Sequence, residues 1–140
     1  MKLFLFVLLL ASSLAGTAQN KDEQAIRKLL QVQTEAWNRG SIDAFMEGYW
    51  KSDSLMFTGK SGITYGWTKT LENYKKGYPD TAAMGKLNFD LQLVKGLSPE
   101  YFQVVGKWHL ARSIGDLAGY FTLLLRKMNG EWVIVSDHSS

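Results

Sequence analysis

Few side chains in this sequence could carry chemistry, and most of them lie near its end. Asp137 and His138 set a carboxylate beside an imidazole, His109 is the other histidine, and Arg112 follows it closely. A carboxylate that orients an imidazole makes a general acid–base pair. Neighbours on a strand point to opposite faces, so Asp137 and His138 cannot form that pair by themselves. His138 therefore stands as the candidate acid/base and Arg112 as a candidate anchor for an anion. His109 reads as a surface or interface residue. The aromatic set is large for so short a chain, and Trp50, Tyr65, Trp67, Trp108 and Phe121 are candidates for the wall of an apolar ligand pocket. Two histidines on opposite faces and no cysteine give no metal site. Ser139 and Ser140 lack a positioned base, so no nucleophile constellation forms. No cofactor is implied.

The elements that must position these residues follow from periodicity. Ile26, Leu29, Leu30, Gln33, Ala36 and Trp37 recur at helical spacing behind Asn20, which reads as the cap. Gly40 ends that helix, and Ser41 caps a second with an apolar stripe of Ile42, Phe45, Met46, Tyr49 and Trp50. A short strand covers 55–58, and glycines mark turns around 63–65. A third stripe of Trp67, Leu71, Tyr74 and Tyr78 stops at Pro79. The period then drops to two. Strands are expected over 87–93, 101–112, 119–128 and 131–138. The class is α+β: a cone-shaped roll with three helices on a curved four-stranded antiparallel sheet plus a short extra strand.

Strand register follows from the turns. Asn129-Gly130 is a strong two-residue hairpin signal, and Gly115-Asp116 suits another. The first pairs Phe121 with His138, Leu123 with Ser136 and Leu125 with Ile134. The second pairs Arg112 with Gly119, Leu110 with Phe121 and Trp108 with Leu123. Paired side chains share a face. One face then holds Trp108, Leu110, Phe121, Leu123, Leu125 and Ile134, with Arg112, Ser136 and His138 at one end. The other holds Lys107, His109, Tyr120, Thr122, Leu124, Arg126, Val133, Val135 and Asp137. The apolar face is expected against the helices and the mixed face against solvent or a second copy. Strand spacings of ~4.8 Å place the Arg112 and His138 Cα atoms roughly 12 Å apart, close enough to share a small ligand.

The first residues supply an address. Lys2 is followed by an apolar run over 3–10, and Gly16-Thr17-Ala18 offers small residues for cleavage. That is the layout of a secretory signal peptide over 1–18, and the apolar run is too short to span a bilayer. One domain, 19–140, remains, exported to a periplasmic or extracellular space and free of the membrane after cleavage. The formal charge of +3 forms no basic stripe, so nucleic acid is excluded as a partner.

Several segments carry a family resemblance. They are 36–43 (AWNRGSID), 53–57, Tyr65-Gly66-Trp67, Gly106-Lys107-Trp108, Gly119-Tyr120-Phe121 and 132–138 (WVIVSDH). In these the chain resembles the nuclear transport factor 2 / ketosteroid isomerase-like (SnoaL-like) superfamily, across nearly the whole domain. It is most similar to an exported branch known only as a domain of unknown function. The resemblance implies a cone with a pocket between helices and sheet, and a fold shared by isomerases, cyclases, dehydratases and plain binders. The isomerase tyrosine of the oxyanion site would fall near Gln33 and its general-base aspartate near Phe57. Neither residue type is present, which argues against that reaction. The expected function is an exported domain holding a small apolar or aromatic molecule. The alternatives are a cyclase-, isomerase- or hydrolase-type enzyme using His138 and Arg112, and a non-catalytic self-association module. A homodimer through the mixed sheet face is expected.

Overall fold

The computed structural model describes residues 2–140, with side chains described from Gly16 onward. Most of the expected signal segment thus lies outside the described side chains. Helix α1 runs Lys2–Asn38. Asn20 is inside it, not at its cap, and instead accepts from Gln24 one turn on. The face predicted for this helix is the buried one: Ile26, Leu30, Gln33, Ala36 and Trp37 all lie in the interior. Helix α2 is short, Ile42–Met46, and Ser41 caps it by accepting from the Ala44 amide. Tyr49 and Trp50 continue the stripe in sequence but lie past the helix, where Tyr49 bridges to Ile134.

Strands β1 (Met56–Gly59) and β2 (Gly62–Tyr65) form a small hairpin ahead of helix α3, Trp67–Gly77. A one-turn helix α4, Thr81–Met84, precedes the long strands β3 (Lys86–Ser98), β4 (Tyr101–Ala111), β5 (Leu117–Met128) and β6 (Glu131–Ser139). The sheet has six strands in the order β2-β1-β6-β5-β4-β3, where four plus one had been expected. The Ile63-Thr64-Tyr65 segment, expected between glycine turns, is a strand because it closes the β1 hairpin. β1 pairs with β6 in parallel, so the chain's early and last strands lie side by side.

Both sequence-derived registers need correction. The Asn129-Gly130 turn is as expected, with both residues at positive φ, and Met128 pairs with Glu131. Beyond it Leu125 pairs with Ile134 but Leu124 with Ser136, so Val135 is the extra residue of a β-bulge. Phe121 therefore faces Ser139, and Thr122 faces His138. The bulge sits where β6 changes partner. Ile134 exchanges backbone hydrogen bonds with the 48–50 segment, whereas Ser136, Asp137 and His138 pair with β1. At the other turn, residues 112–116 form a longer loop. The Asp116 carboxylate accepts from the Arg112 amide at 2.9 Å and meets His109 Nε2 at 2.9 Å, which closes the loop. Leu110 thus pairs with Leu117, Trp108 with Gly119 and Gly106 with Phe121. This displacement is an even number of residues, so the faces of β4 and β5 are kept. The bulge displaces β6 by one residue, and from Ser136 onward its faces are exchanged.

Further bulges in the β3–β4 ladder, at Leu91/Leu93 and Gly96/Ser98, bend the sheet around α1 and α3. The core fills one end of the roll with Phe102, Val104, Leu125, Trp132 and Ile134 from the sheet against Ile26, Leu30 and Met46.

Candidate functional site

The other end of the roll is hollow. A cavity of about 620 Å³ lies between the helices and the concave face of the sheet. Ligand pockets commonly fall in this range. An aromatic cluster makes its helical wall. Trp37 of α1 meets Phe45, Tyr74 and Tyr78 edge-on, with centroids 5.1, 6.0 and 5.0 Å away. Its indole N–H donates to the Met84 carbonyl at 3.0 Å, which fixes the ring. The opposite wall is Leu87, Phe89, Trp108, Leu110, Phe121 and Leu123. Phe121 lies over Gly106, where a Cβ would stand 2.7 Å from its ring, and tilts against Phe89 at 5.1 Å.

At the buried end stands one acid. Asp137 is 3% exposed and lines the cavity. Its Oδ2 accepts from the Tyr49 hydroxyl at 2.7 Å and its Oδ1 from the Ser139 hydroxyl at 2.7 Å. Burial pushes its pKa up to about 6, against the opposing pull of those two donors and of the nearby His138. Tyr49 is held well above the usual phenol range, first by burial and then by the Asp137 charge. Tyr74 is likewise raised, by burial and the same charge, although one side of its ring opens into the cavity. The cluster is thus a carboxylate that can take up a proton near neutrality, next to two phenols that stay protonated. It can accept a hydrogen bond from a bound hydroxyl, or hold a proton itself at mildly acidic pH. Gln33, also buried, lines the cavity and donates to the Phe45 carbonyl at 3.0 Å. The mouth is formed by Lys60, Ser61, Asn73, Lys76 and Gly77, all exposed.

The expected ligand residues fall into two groups. Trp108 and Phe121 line the cavity, as the shared face of β4 and β5 required. The other five do not line it. Trp50 is half-buried beyond α2, and Tyr65 on edge strand β2 is 61% exposed. Trp67 donates its indole N–H to the Met46 carbonyl at 2.9 Å and carries Lys51 on its ring. Arg112 turns away into its own loop, donating to the carbonyls of Gly115 at 2.7 Å and Ala83 at 3.1 Å. His138 is exposed beside Thr122, on the face that carries Lys107. The bulge at Val135 sends the imidazole out and brings the Asp137 carboxylate in. Gly119 faces Trp108 rather than Arg112, and a Cβ there would run into the Ser140 carbonyl.

Sequence reasoning did not find Asp137, Tyr49 or Tyr74 as site residues. Tyr49 and Tyr74 were legible as members of apolar stripes, and nothing in those stripes marked their hydroxyls as converging. Asp137 was placed outward because a bulge leaves no clear trace in an alternating strand. Among the described residues no cluster of histidine, cysteine or carboxylate side chains could hold a metal ion. No described helix is long and apolar enough to cross a membrane.

No family model matches the chain. No curated protein matches it either. Solved structures do. A protein of unknown function from Shewanella oneidensis MR-1, described as NTF-2 like, is 45% identical over 86% of this chain and 98% of its own, with a TM-score of 0.80. An NTF2-like protein of unknown function from Pseudomonas putida KT2440 is 14% identical, covering 86% of this chain and 87% of its own, at a TM-score of 0.69. A ketosteroid isomerase-like protein from Erwinia carotovora atroseptica SCRI1043 is 17% identical, covering 86% and 96%, at 0.68.

Proposed function

The chain belongs to the NTF2-like family, and from that premise we propose that it is a binding domain for one small, largely apolar molecule that carries a hydroxyl group. The observation that carries this reading is the aromatic-walled cavity with a single hydrogen-bonded carboxyl at its buried end. Apolar walls supply affinity through area removed from water, and one buried acceptor fixes orientation. At neutral pH the Asp137 carboxylate has lone pairs beyond those used by Tyr49 and Ser139, so a ligand hydroxyl can donate to it. An enzyme built on His138 and Arg112 lacks geometric support, since neither side chain lines the cavity. We further propose that the domain is exported, on the strength of the charged, apolar and small-residue segments at its start.

The five tryptophans report on the cavity without any substitution. Trp37 and Trp108 line it, whereas Trp50, Trp67 and Trp132 do not. In a nitrogen-15 correlated spectrum, titration with 2-naphthol should move the indole N–H signals of Trp37 and Trp108 and leave the other three in place. Saturable shifts confined to Trp50, Trp67 or Trp132, or no shift at millimolar 2-naphthol, would refute the reading.

A further inference from the structure

The cavity has an electrical direction. Its buried end holds Asp137, and among the described residues this is the one acid that lines it. Its mouth holds two lysines delivered by different elements. Lys60 comes from the turn between β1 and β2, and Lys76 from the last turn of α3. Other lysines of this part of the molecule are engaged. Lys75 meets Asp43 at 2.8 Å, Lys69 meets Glu72 at 3.3 Å and Lys51 meets Glu47 at 2.8 Å. Lys60 and Lys76 have no carboxylate within ion-pair distance among the described residues. Arg112 lies near Tyr78, but its guanidinium is spent on two backbone carbonyls.

One of these lysines alone would be unremarkable. Lys76 at a helix C-terminus is favoured by the helix dipole, as is its neighbour Lys75. Lys60 has no such reason to be where it is. Two unpaired cations at the rim of an apolar cleft raise the local concentration of anions, and the low-dielectric walls focus that field. The carboxylate at the far end repels an anion and so forbids the reverse orientation.

We propose that the ligand is an amphiphilic carboxylic acid. Its apolar body lies among the aromatic walls, its carboxylate sits at the mouth against Lys60 and Lys76, and its hydroxyl points to Asp137. This rests on the binding reading above and adds to it the anionic group and the direction of entry.

Isothermal titration calorimetry at pH 8 with two matched probes, 2-naphthol and 6-hydroxy-2-naphthoate, tests it on the full-length mature chain. The naphthoate should bind more tightly by about tenfold, the sum of two partly exposed charge pairs. The advantage should shrink when salt is raised from about 0.05 to 0.5 M, because exposed charges are screened over about a Debye length. It should vanish in the Lys60→Ala, Lys76→Ala double variant, read as the ratio of the two probes' affinities within that variant. Equal affinity for the two probes, or an advantage that survives the double variant, overturns the inference and leaves the binding reading standing. Failure of both probes to bind overturns the two together.

Discussion

Replacing Asp137 by asparagine separates the cost of this site from its use. The carboxyl is buried and its pKa is raised from 3.8 to about 6. The folded state therefore holds the proton more tightly than the unfolded state. Near pH 4 the penalty is small, because both states are largely or partly protonated. Between about pH 4 and 6 the unfolded state has released its proton and the folded state has not, so stability falls as pH rises. Above 6 the loss is complete. A shift of roughly two units at 1.36 kcal/mol each amounts to about 3 kcal/mol. Asparagine has the same shape, cannot ionise, and can still accept from one hydroxyl and donate to the other. Asp137→Asn should thus match the parent near pH 4 and exceed it by up to about 3 kcal/mol at pH 8. For a domain of this size that is on the order of 10 °C in Tm. Urea and thermal unfolding of both proteins at several pH values give the difference directly, and groups such as the His109–Asp116 pair cancel. A difference that stays flat from pH 4 to 8 would refute the reasoning, as would a variant that is less stable at pH 8.

Tyr49→Phe removes the bond that holds the Asp137 pKa down, so its midpoint should rise above 6, read from the carboxyl carbon-13 shift; an unchanged midpoint would sink the claimed bond. Gly119→Leu should cost about 1–3 kcal/mol in urea unfolding, because the new side chain displaces Ser140 and presses on the Trp108 indole; unchanged stability would mean that the chain end is not seated there. Protein recovered from the exported fraction should have an intact mass that begins near Gln19, and a mass retaining residues 1–18 would contradict export. The outer sheet face, with Tyr120 at 56% exposure among Leu124, Val133 and Val135, should support a dimer visible by light scattering at high micromolar concentration. Tyr120→Glu should return it to monomer and remove the dependence of its melting temperature on protein concentration, and a parent that is monomeric throughout would refute the interface.

The fold was legible because its signals are periodic. The α1 face from Ile26 to Trp37, the Ser41 cap and the Asn129-Gly130 turn all carry local chemistry that admits few alternatives. The inward set Trp108, Leu110, Phe121, Leu123 was right even though its register was not, since an even displacement keeps every side chain on its face. The site was not legible in the same way. Whether Asp137 or His138 faces the cavity turns on the Val135 bulge, which answers to a change of hydrogen-bonding partner and not to residue type. Arg112 was drawn toward the cavity by a turn assumed too short, whereas Asp116 closes a longer loop by capping the Arg112 amide. Tyr49 and Tyr74 come from segments far apart in sequence, and only the closed roll brings the Tyr49 hydroxyl onto the carboxylate and Tyr74 beside Tyr49.

That bulge has a consequence for how such cavities diversify. The last strand reads like a message with two frames. In one, a carboxylic acid sits on the inner wall and an imidazole faces the solvent; in the other, the two exchange places. Both chemistries are already spelled side by side in the strand, and one residue of slack upstream selects between them. A change of slack that no comparison of pocket-lining residues would flag can therefore turn the acid outward and bring the imidazole to the inner face, one step along the strand. Two relatives with matching letters at these positions need not present the same group to their ligands.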